Sequence, residues 1–147
     1  MKIFDTLSDR KEEFTPSGPT VKMYVCGITP YDSSHLGHAM SYIIFDVIRR
    51  YLEFKGYQVT HVQNFTDIDD KIIDRSSKLS LHYQELTERY IQEFFSNMDS
   101  LNIMKAHKYP RATQEIPDMI NMIRVLMEKG NSYAANGDVY FRVSSAT

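Results

Sequence analysis

Between Val21 and Val62 the chain reads strand, helix, strand, and that order leaves few folds open. Val21 to Val25 alternates as a half-buried strand does, and Gly27 and Pro30 close it. From Gly37 onward, Ala39, Tyr42, Ile43, Val47, Arg50, Tyr51 and Phe54 recur at helical spacing, and Gly56 offers a C-cap. Tyr57 to Val62 then reads as a second strand through Val59, His61 and Val62. The run predicts a βαβ unit, and with it an α/β fold built on parallel strands. Ligands of such sheets collect beyond the carboxyl ends of the strands, where Cys26-Gly27 and Asn64-Phe-Thr-Asp67 both fall.

The residues at those ends carry chemistry. His35-Leu-Gly-His38 is predicted to open the helix. Unpaired backbone N–H groups and the positive end of the helix dipole make such a turn a seat for phosphate oxygens. Gly37 lets backbone approach a ligand closely, and the two imidazoles add donors for developing charge. Taken alone, the tetrapeptide reads equally as a cap or a surface pair. Thr66, Asp67, Asp69 and Asp70 put a hydroxyl and three carboxylates in five positions, of which Asp67 or Asp69 suits the N-cap of a helix starting near Asp70. Cys26 is the only cysteine, so no intrachain disulfide can form, and by itself it reads as a small buried hydrophobe.

Farther along, a helix is expected from about residue 80 to about 102, with Leu86, Tyr90, Ile91, Phe94, Phe95, Met98 and Leu101 facing the core. Lys105, His107, Lys108 and Arg111 follow it, as a solvated loop or a set of phosphate contacts. A third helix is expected from about Gln114 to Lys129, with Pro117 in its first turn and Gly130 after its end. The net charge is −2, from 17 basic and 19 acidic residues, which excludes a global field attracting nucleic acid. No apolar run approaches the roughly 20 residues of a membrane span, and no signal peptide opens the chain, so a cytoplasmic location is expected.

Several of these segments, in order, resemble the N-terminal part of the catalytic domain of the cysteinyl-tRNA synthetases, class I aminoacyl-tRNA synthetases. The resemblance is carried by Lys2-Ile-Phe-Asp-Thr-Leu-Ser8, Lys11-Glu-Glu-Phe14, Met23-Tyr-Val-Cys-Gly-Ile-Thr29, His35-Leu-Gly-His38 and Phe45-Asp-Val-Ile-Arg-Arg-Tyr-Leu52. It continues through Gln63-Asn-Phe-Thr-Asp-Ile-Asp-Asp-Lys-Ile-Ile73, Pro110-Arg-Ala-Thr113 and Asn136-Gly-Asp-Val-Tyr-Phe141. It implies the first half of a Rossmann-like, HUP-type parallel sheet over residues 1–113, followed by the start of the inserted connective domain over 114–147.

By resemblance, His35, Gly37 and His38 fall on the family's HIGH signature, which binds ATP and stabilises the adenylation transition state; Leu36 is a mild apolar exchange within it. Cys26 falls on the first zinc ligand, Thr66 on a cysteine contact, and Gly27 in the backbone bordering that pocket and the ATP site. The implied partners are ATP with Mg²⁺, L-cysteine and tRNA(Cys), and the implied cofactor is Zn²⁺. Zinc would answer a real difficulty, because an apolar pocket separates cysteine from serine poorly whereas a soft cation prefers thiolate. The family's other zinc ligands, its KMSKS loop, the second half of its nucleotide fold and its anticodon-binding region lie beyond the segment matched, so an N-terminal fragment or truncated paralogue is expected, with an exposed parallel-sheet edge. Two other readings fit parts of the pattern. Gly27-Ile-Thr-Pro-Tyr-Asp32 suits a cysteine ligase of the mycothiol-synthesis type, and the partial fold suits a non-catalytic nucleotide- or tRNA-binding unit.

Overall fold

The computed structural model describes residues 1–16 and 18–146. An antiparallel hairpin of β1 (Lys2–Asp5) and β2 (Arg10–Glu13) leads into β3 (Thr20–Ile28). The helix α1 (Leu36–Phe54) crosses to β4 (Gln58–Phe65), which pairs parallel with β3 from Thr20↔Gln58 to Ile28↔Phe65. This is the expected βαβ unit. Gly56, at φ 88°, takes the left-handed conformation just past α1 that glycine adopts without strain.

Two helices follow, α2 (Asp70–Leu79) and α3 (Tyr83–Ser100). Ser80 turns left-handed at the end of α2, and His82 caps α3, so α3 starts later than its periodicity suggested. Asp69, rather than Asp67, caps α2 by accepting from Lys71 N at 2.9 Å. Asp67 is buried and instead accepts from Thr113 N at 3.0 Å and Thr113 Oγ1 at 2.6 Å.

The core lies on one face of the sheet. Val25 and Ile28 of β3, Phe65 of β4, Tyr42 of α1 and Ile91, Phe94 and Met98 of α3 pack together there. Phe65 is ringed by Phe94, Phe95 and Tyr109 at centroid distances of 5.4 to 5.6 Å, within the range of favourable aromatic pairs. A second cluster joins Val21, Leu52 and Val59.

Two expectations change. Of the residues at helical spacing in α1, Tyr42 is buried, whereas Ile43, Val47, Tyr51 and Phe54 are exposed, and Arg49 and Leu52 join Tyr42 as the buried positions. The helix is apolar on two sides, and packing rather than periodicity selects between them. Leu101, expected on the inward face of α3, is exposed past that helix's end.

The segment after α3 is no free loop. His107 N donates to His61 O, Gln63 N to Lys108 O and Phe65 N to Pro110 O, so this stretch runs beside β4 and covers that strand's outer edge, while among the described residues no strand lies beside the outer edge of β3. Of its basic side chains, Lys105 pairs with Asp99 at 3.1 Å and Arg111 with Glu88 at 2.7 Å.

A 3₁₀ turn (Ala112–Gln114) precedes α4 (Ile116–Glu128), which carries Pro117 in its first turn. β5 (Ser132–Ala135) and β6 (Asp138–Phe141) then form a hairpin. Asn136 and Gly137 both have positive φ, as a two-residue hairpin turn of the Asn-Gly type requires. No helix among the described residues is long and apolar enough to cross a membrane.

Candidate functional site

The site forms where β3 and β4 end and α1 begins. Up to Val25, paired with Gln63, the two strands stay in register; Ile28 then pairs with Phe65, so Cys26 and Gly27 together stand opposite Asn64. That extra residue is a β-bulge, a device that re-aims side chains beside functional sites. It returns Ile28 to the core after Val25, while Cys26 stays on the exposed side with Lys22 and Tyr24. Cys26 is therefore not the buried hydrophobe that its apolar neighbours suggested.

The bulge needs glycine at position 27. A Cβ there would lie 1.5 Å from the backbone oxygen of Asn64, closer than any side chain can approach. The Asn64 side chain completes the junction. Its Oδ1 accepts from Gly27 N and from Tyr24 Oη, both at 2.9 Å, and its Nδ2 donates to Thr66 Oγ1 at 3.2 Å. Thr66 is fixed further by its own N–H, which donates to Ile28 O at 3.0 Å.

The loop after β3 delivers His35 to the first turn of α1. His35 is the N-cap: its Nδ1 accepts from Gly37 N at 3.1 Å and His38 N at 3.4 Å, while His38 Nδ1 accepts from His35 N at 3.3 Å. This is a capping box with imidazoles in both of its side-chain positions. The rings stack at 3.8 Å between centroids, 15° from parallel.

One consequence concerns protons. An Nδ1 that accepts from backbone N–H carries no hydrogen, so each neutral ring holds its proton on Nε2 and presents a donor there. Desolvation and the neighbouring His35 both lower the pKa of His38, which favours that neutral form. Gly37 has a local reason as well, since a Cβ at that position would meet the His35 ring at 3.0 Å.

Beside these rings lies a cleft of about 380 Å³, lined by Gly27, Thr29, Tyr31, His35, His38 and Lys71 among others. Lys71, in the first turn of α2, sits 5.7 Å over the Tyr31 ring and brings positive charge to the cleft. A larger depression of about 820 Å³ between α3 and residues 105–109 is open; of the residues singled out in the sequence for binding or chemistry it is lined by Lys105, and by none of Cys26, Gly27, His35, Gly37, His38 and Thr66. Cleft geometry and the helix N-terminus give the smaller hollow the features that suit an anion.

Of the residues singled out in the sequence, Gly27, His35, Gly37 and His38 meet at this cleft or its rim, and Cys26 and Thr66 flank it across the bulge. Asn64, Lys71 and Tyr42 were not singled out for roles. Tyr42 Oη donates to Cys26 O at 3.3 Å, and burial, with Cys26 next in effect, pushes its hydroxyl up to about 12. An Asn, a residue depleted in strands, next to Phe65 at the end of β4 is the available signal for position 64.

For a metal, the chain offers one exposed thiol, Cys26. Among the described residues no three His, Cys, Asp or Glu side chains are grouped to hold an ion. One thiolate does not make a tetrahedral zinc centre.

Residues 13–147 match the family described as tRNA synthetases class I (C) catalytic domain. The chain is 52% identical over 144 residues to the cysteine–tRNA ligase of Endomicrobium trichonymphae and 57% identical over 144 residues to that of Dehalococcoides mccartyi. Each alignment covers 97% of this chain and 31% of the relative, so the chain spans about a third of their length. Among solved structures, the Mycobacterium tuberculosis methionyl-tRNA synthetase in complex with methionyl-adenylate superposes with a TM-score of 0.69 at 22% identity, over 77% of this chain and 23% of that one. A leucyl-tRNA synthetase of Agrobacterium radiobacter gives 0.67 at 21% identity, over 82% and 16%. These two likenesses establish the shared α/β fold.

Proposed function

The chain belongs to the class I (C) tRNA synthetase catalytic-domain family, and from that premise we propose that it serves a cysteine–tRNA ligase as the first part of its adenylation site. The observation that carries the reading is the paired-imidazole cap of His35 and His38 on a cleft at the strand ends. Nε2–H donors, helix N-terminal N–H groups and Lys71 all suit a triphosphate.

In the proposed reaction a carboxylate oxygen of cysteine attacks the α-phosphorus of ATP. The bond from that phosphorus to the bridging oxygen breaks, and pyrophosphate leaves with its electron pair; Mg²⁺, were it bound with ATP, would neutralise part of the phosphate charge. No proton need move, so positioning and charge stabilisation carry the step. His35, Gly37 and His38, with Gly27, hold ATP, and the two imidazoles donate to charge developing on the transferring group. Gly27 and Thr66 border the cysteine substrate. A terminal ribose hydroxyl of tRNA(Cys) then attacks the cysteinyl carbonyl carbon, the acyl–phosphate bond breaks, AMP leaves with that electron pair, and the hydroxyl proton passes to the departing phosphate or to water.

Cys26 is assigned as this chain's contribution to a zinc site whose other donors come from outside the described residues. Zinc, when bound, supplies a soft cation that favours the substrate's thiolate over a hydroxyl. Residues 1–113 are assigned to the nucleotide-binding domain and 114–147 to the start of the connective insertion, Thr147 lying outside the described residues. A lone, exposed thiol suits a reducing compartment, in keeping with a cytoplasmic protein.

The test is cysteine-dependent exchange of labelled pyrophosphate into ATP by the full-length protein, followed by transfer to tRNA. Exchange with cysteine, little with serine, and aminoacylation of tRNA are expected. Transfer to an amino sugar in place of tRNA, or binding of ATP with no exchange, would overturn the assignment.

A further inference from the structure

We infer that Asn64 is a positioning residue that fixes the amino-acid pocket, an inference resting on the assignment of Gly27 and Thr66 to the cysteine side of the site. Its side chain holds three groups at once: Gly27 N and Tyr24 Oη of β3, and Thr66 Oγ1 just past the end of β4. Both acceptor lone pairs of Oδ1 are used by the first two, and one Nδ2 hydrogen by the third.

The bulge explains why an amide is needed. With two β3 residues opposite one on β4, the regular ladder is broken, and the N–H of Gly27 bonds to a side chain. An oxygen must reach it. The same side chain must also donate to Thr66, whose hydroxyl, accepting from Nδ2, keeps its own hydrogen to offer elsewhere. A carboxylate would satisfy the first demand and fail the second, and a hydrocarbon would fail both. Asn64 reaches the reacting atoms only through Gly27, which borders both substrates, and Thr66, which borders cysteine alone, so losing the Thr66 contact by itself should fall on cysteine binding rather than on ATP.

The experiment measures KM for cysteine and for ATP separately in pyrophosphate exchange, in the full-length protein carrying Asn64→Asp or Asn64→Ala. Asn64→Asp retains the acceptor for Gly27 and Tyr24, which keeps the strand junction closed, while it replaces the donor to Thr66 with an acceptor and adds a negative charge. It is expected to raise the cysteine KM about tenfold, the effect of one hydrogen bond of ordinary strength, with the ATP KM within about twofold. Asn64→Ala is expected to raise it further. If Asn64→Ala fails to fold, Asn64→Asp still decides. An unchanged cysteine KM in Asn64→Asp, or cysteine and ATP constants rising together, would overturn the inference while the wild type remains active. A wild type with no cysteine-dependent exchange would overturn the underlying assignment, and the inference with it.

Discussion

His35 is asked to do two things, and the structure shows how to separate them. Its Nδ1 caps α1 by accepting from Gly37 N and His38 N, while Nε2 is the ring atom left to donate. Asparagine is among the best N-cap residues and can accept the same two bonds through its side-chain oxygen, but it places no donor where Nε2 stands. Alanine provides neither.

A missing cap costs about 1 kcal/mol, and because the first turn of α1 is exposed, water recovers part of it. About 1 kcal/mol corresponds to a fivefold change in a local opening equilibrium. The amides of Gly37 and His38 should therefore exchange hydrogen roughly fivefold faster in His35→Ala, and at nearly the wild-type rate in His35→Asn. A transition-state donor is worth about 10² to 10³ in rate. Pyrophosphate exchange by the full-length protein should fall by at least about a hundredfold in both variants. Activity within a few-fold of wild type in His35→Asn would refute the donor role and leave His35 a cap. Wild-type amide protection in His35→Ala would refute the cap.

Gly27→Ala should lower the stability of the full-length protein by about 2–4 kcal/mol, combining overpacking with a lost hydrogen bond, whereas Gly37→Ala meets only a movable ring and should stay within about 1 kcal/mol; urea midpoints distinguish the two, and equal midpoints would count against the bulge argument. Stability should also decline as pH drops below 6.5. His61 is buried with neither ring nitrogen hydrogen-bonded, and desolvation, Arg49 and His107 hold its pKa below 6.5, against the weaker pull of Asp46. The unfolded chain then binds the proton the folded chain refuses, so the stabilisation is complete above 6.5 and is lost as pH falls toward the lowered folded value, at no more than about 1.4 kcal/mol per pH unit for each histidine. Urea titrations from pH 7.5 to 5.5 should show a shallower slope in His61→Met, and an unaltered slope would exclude His61 as the source.

What could be read in the sequence was set by short-range periodicity. β3, α1, β4 and α3 each repeat an apolar pattern at the period of their own backbone, and residues 23–38 place the histidines at a helix start without further information. The segment beside β4 could not be read this way. Lys108-Tyr-Pro-Arg111 does not alternate and contains proline, which ordinarily argues against a strand. The structure shows why proline is tolerated: Pro110 contributes only its carbonyl, which accepts from Phe65 N, and its missing N–H is never called on. Asp67 was misleading for a similar reason. Its partner Thr113 lies 46 residues away, and no local pattern distinguishes it from Asp69, which caps α2. Asn64 depends on a bulge, and a bulge is a mismatch between two strands that neither strand announces by itself.

The two halves of the site are also mechanically joined. Tyr42 lies on α1, seven residues after His35, and its hydroxyl donates to the carbonyl of Cys26 in the bulge. Its ring is nearly parallel to that of His38, with centroids 6.5 Å apart, and packs edge-on against Phe94 of α3. With its hydroxyl pushed up to about 12, it stays protonated and remains a donor at any physiological pH. The histidines that would meet the nucleotide and the bulge that would meet the amino acid are therefore referenced to one buried side chain. A rotation of α1 large enough to move His38 would pull on the carbonyl of Cys26, so neither pocket can be displaced without strain reaching the other. In the proposed adenylation, which would join two bound substrates without a general base, such shared placement is the main contribution a protein can make, because misplacement by about 1 Å can cost a hundredfold in rate.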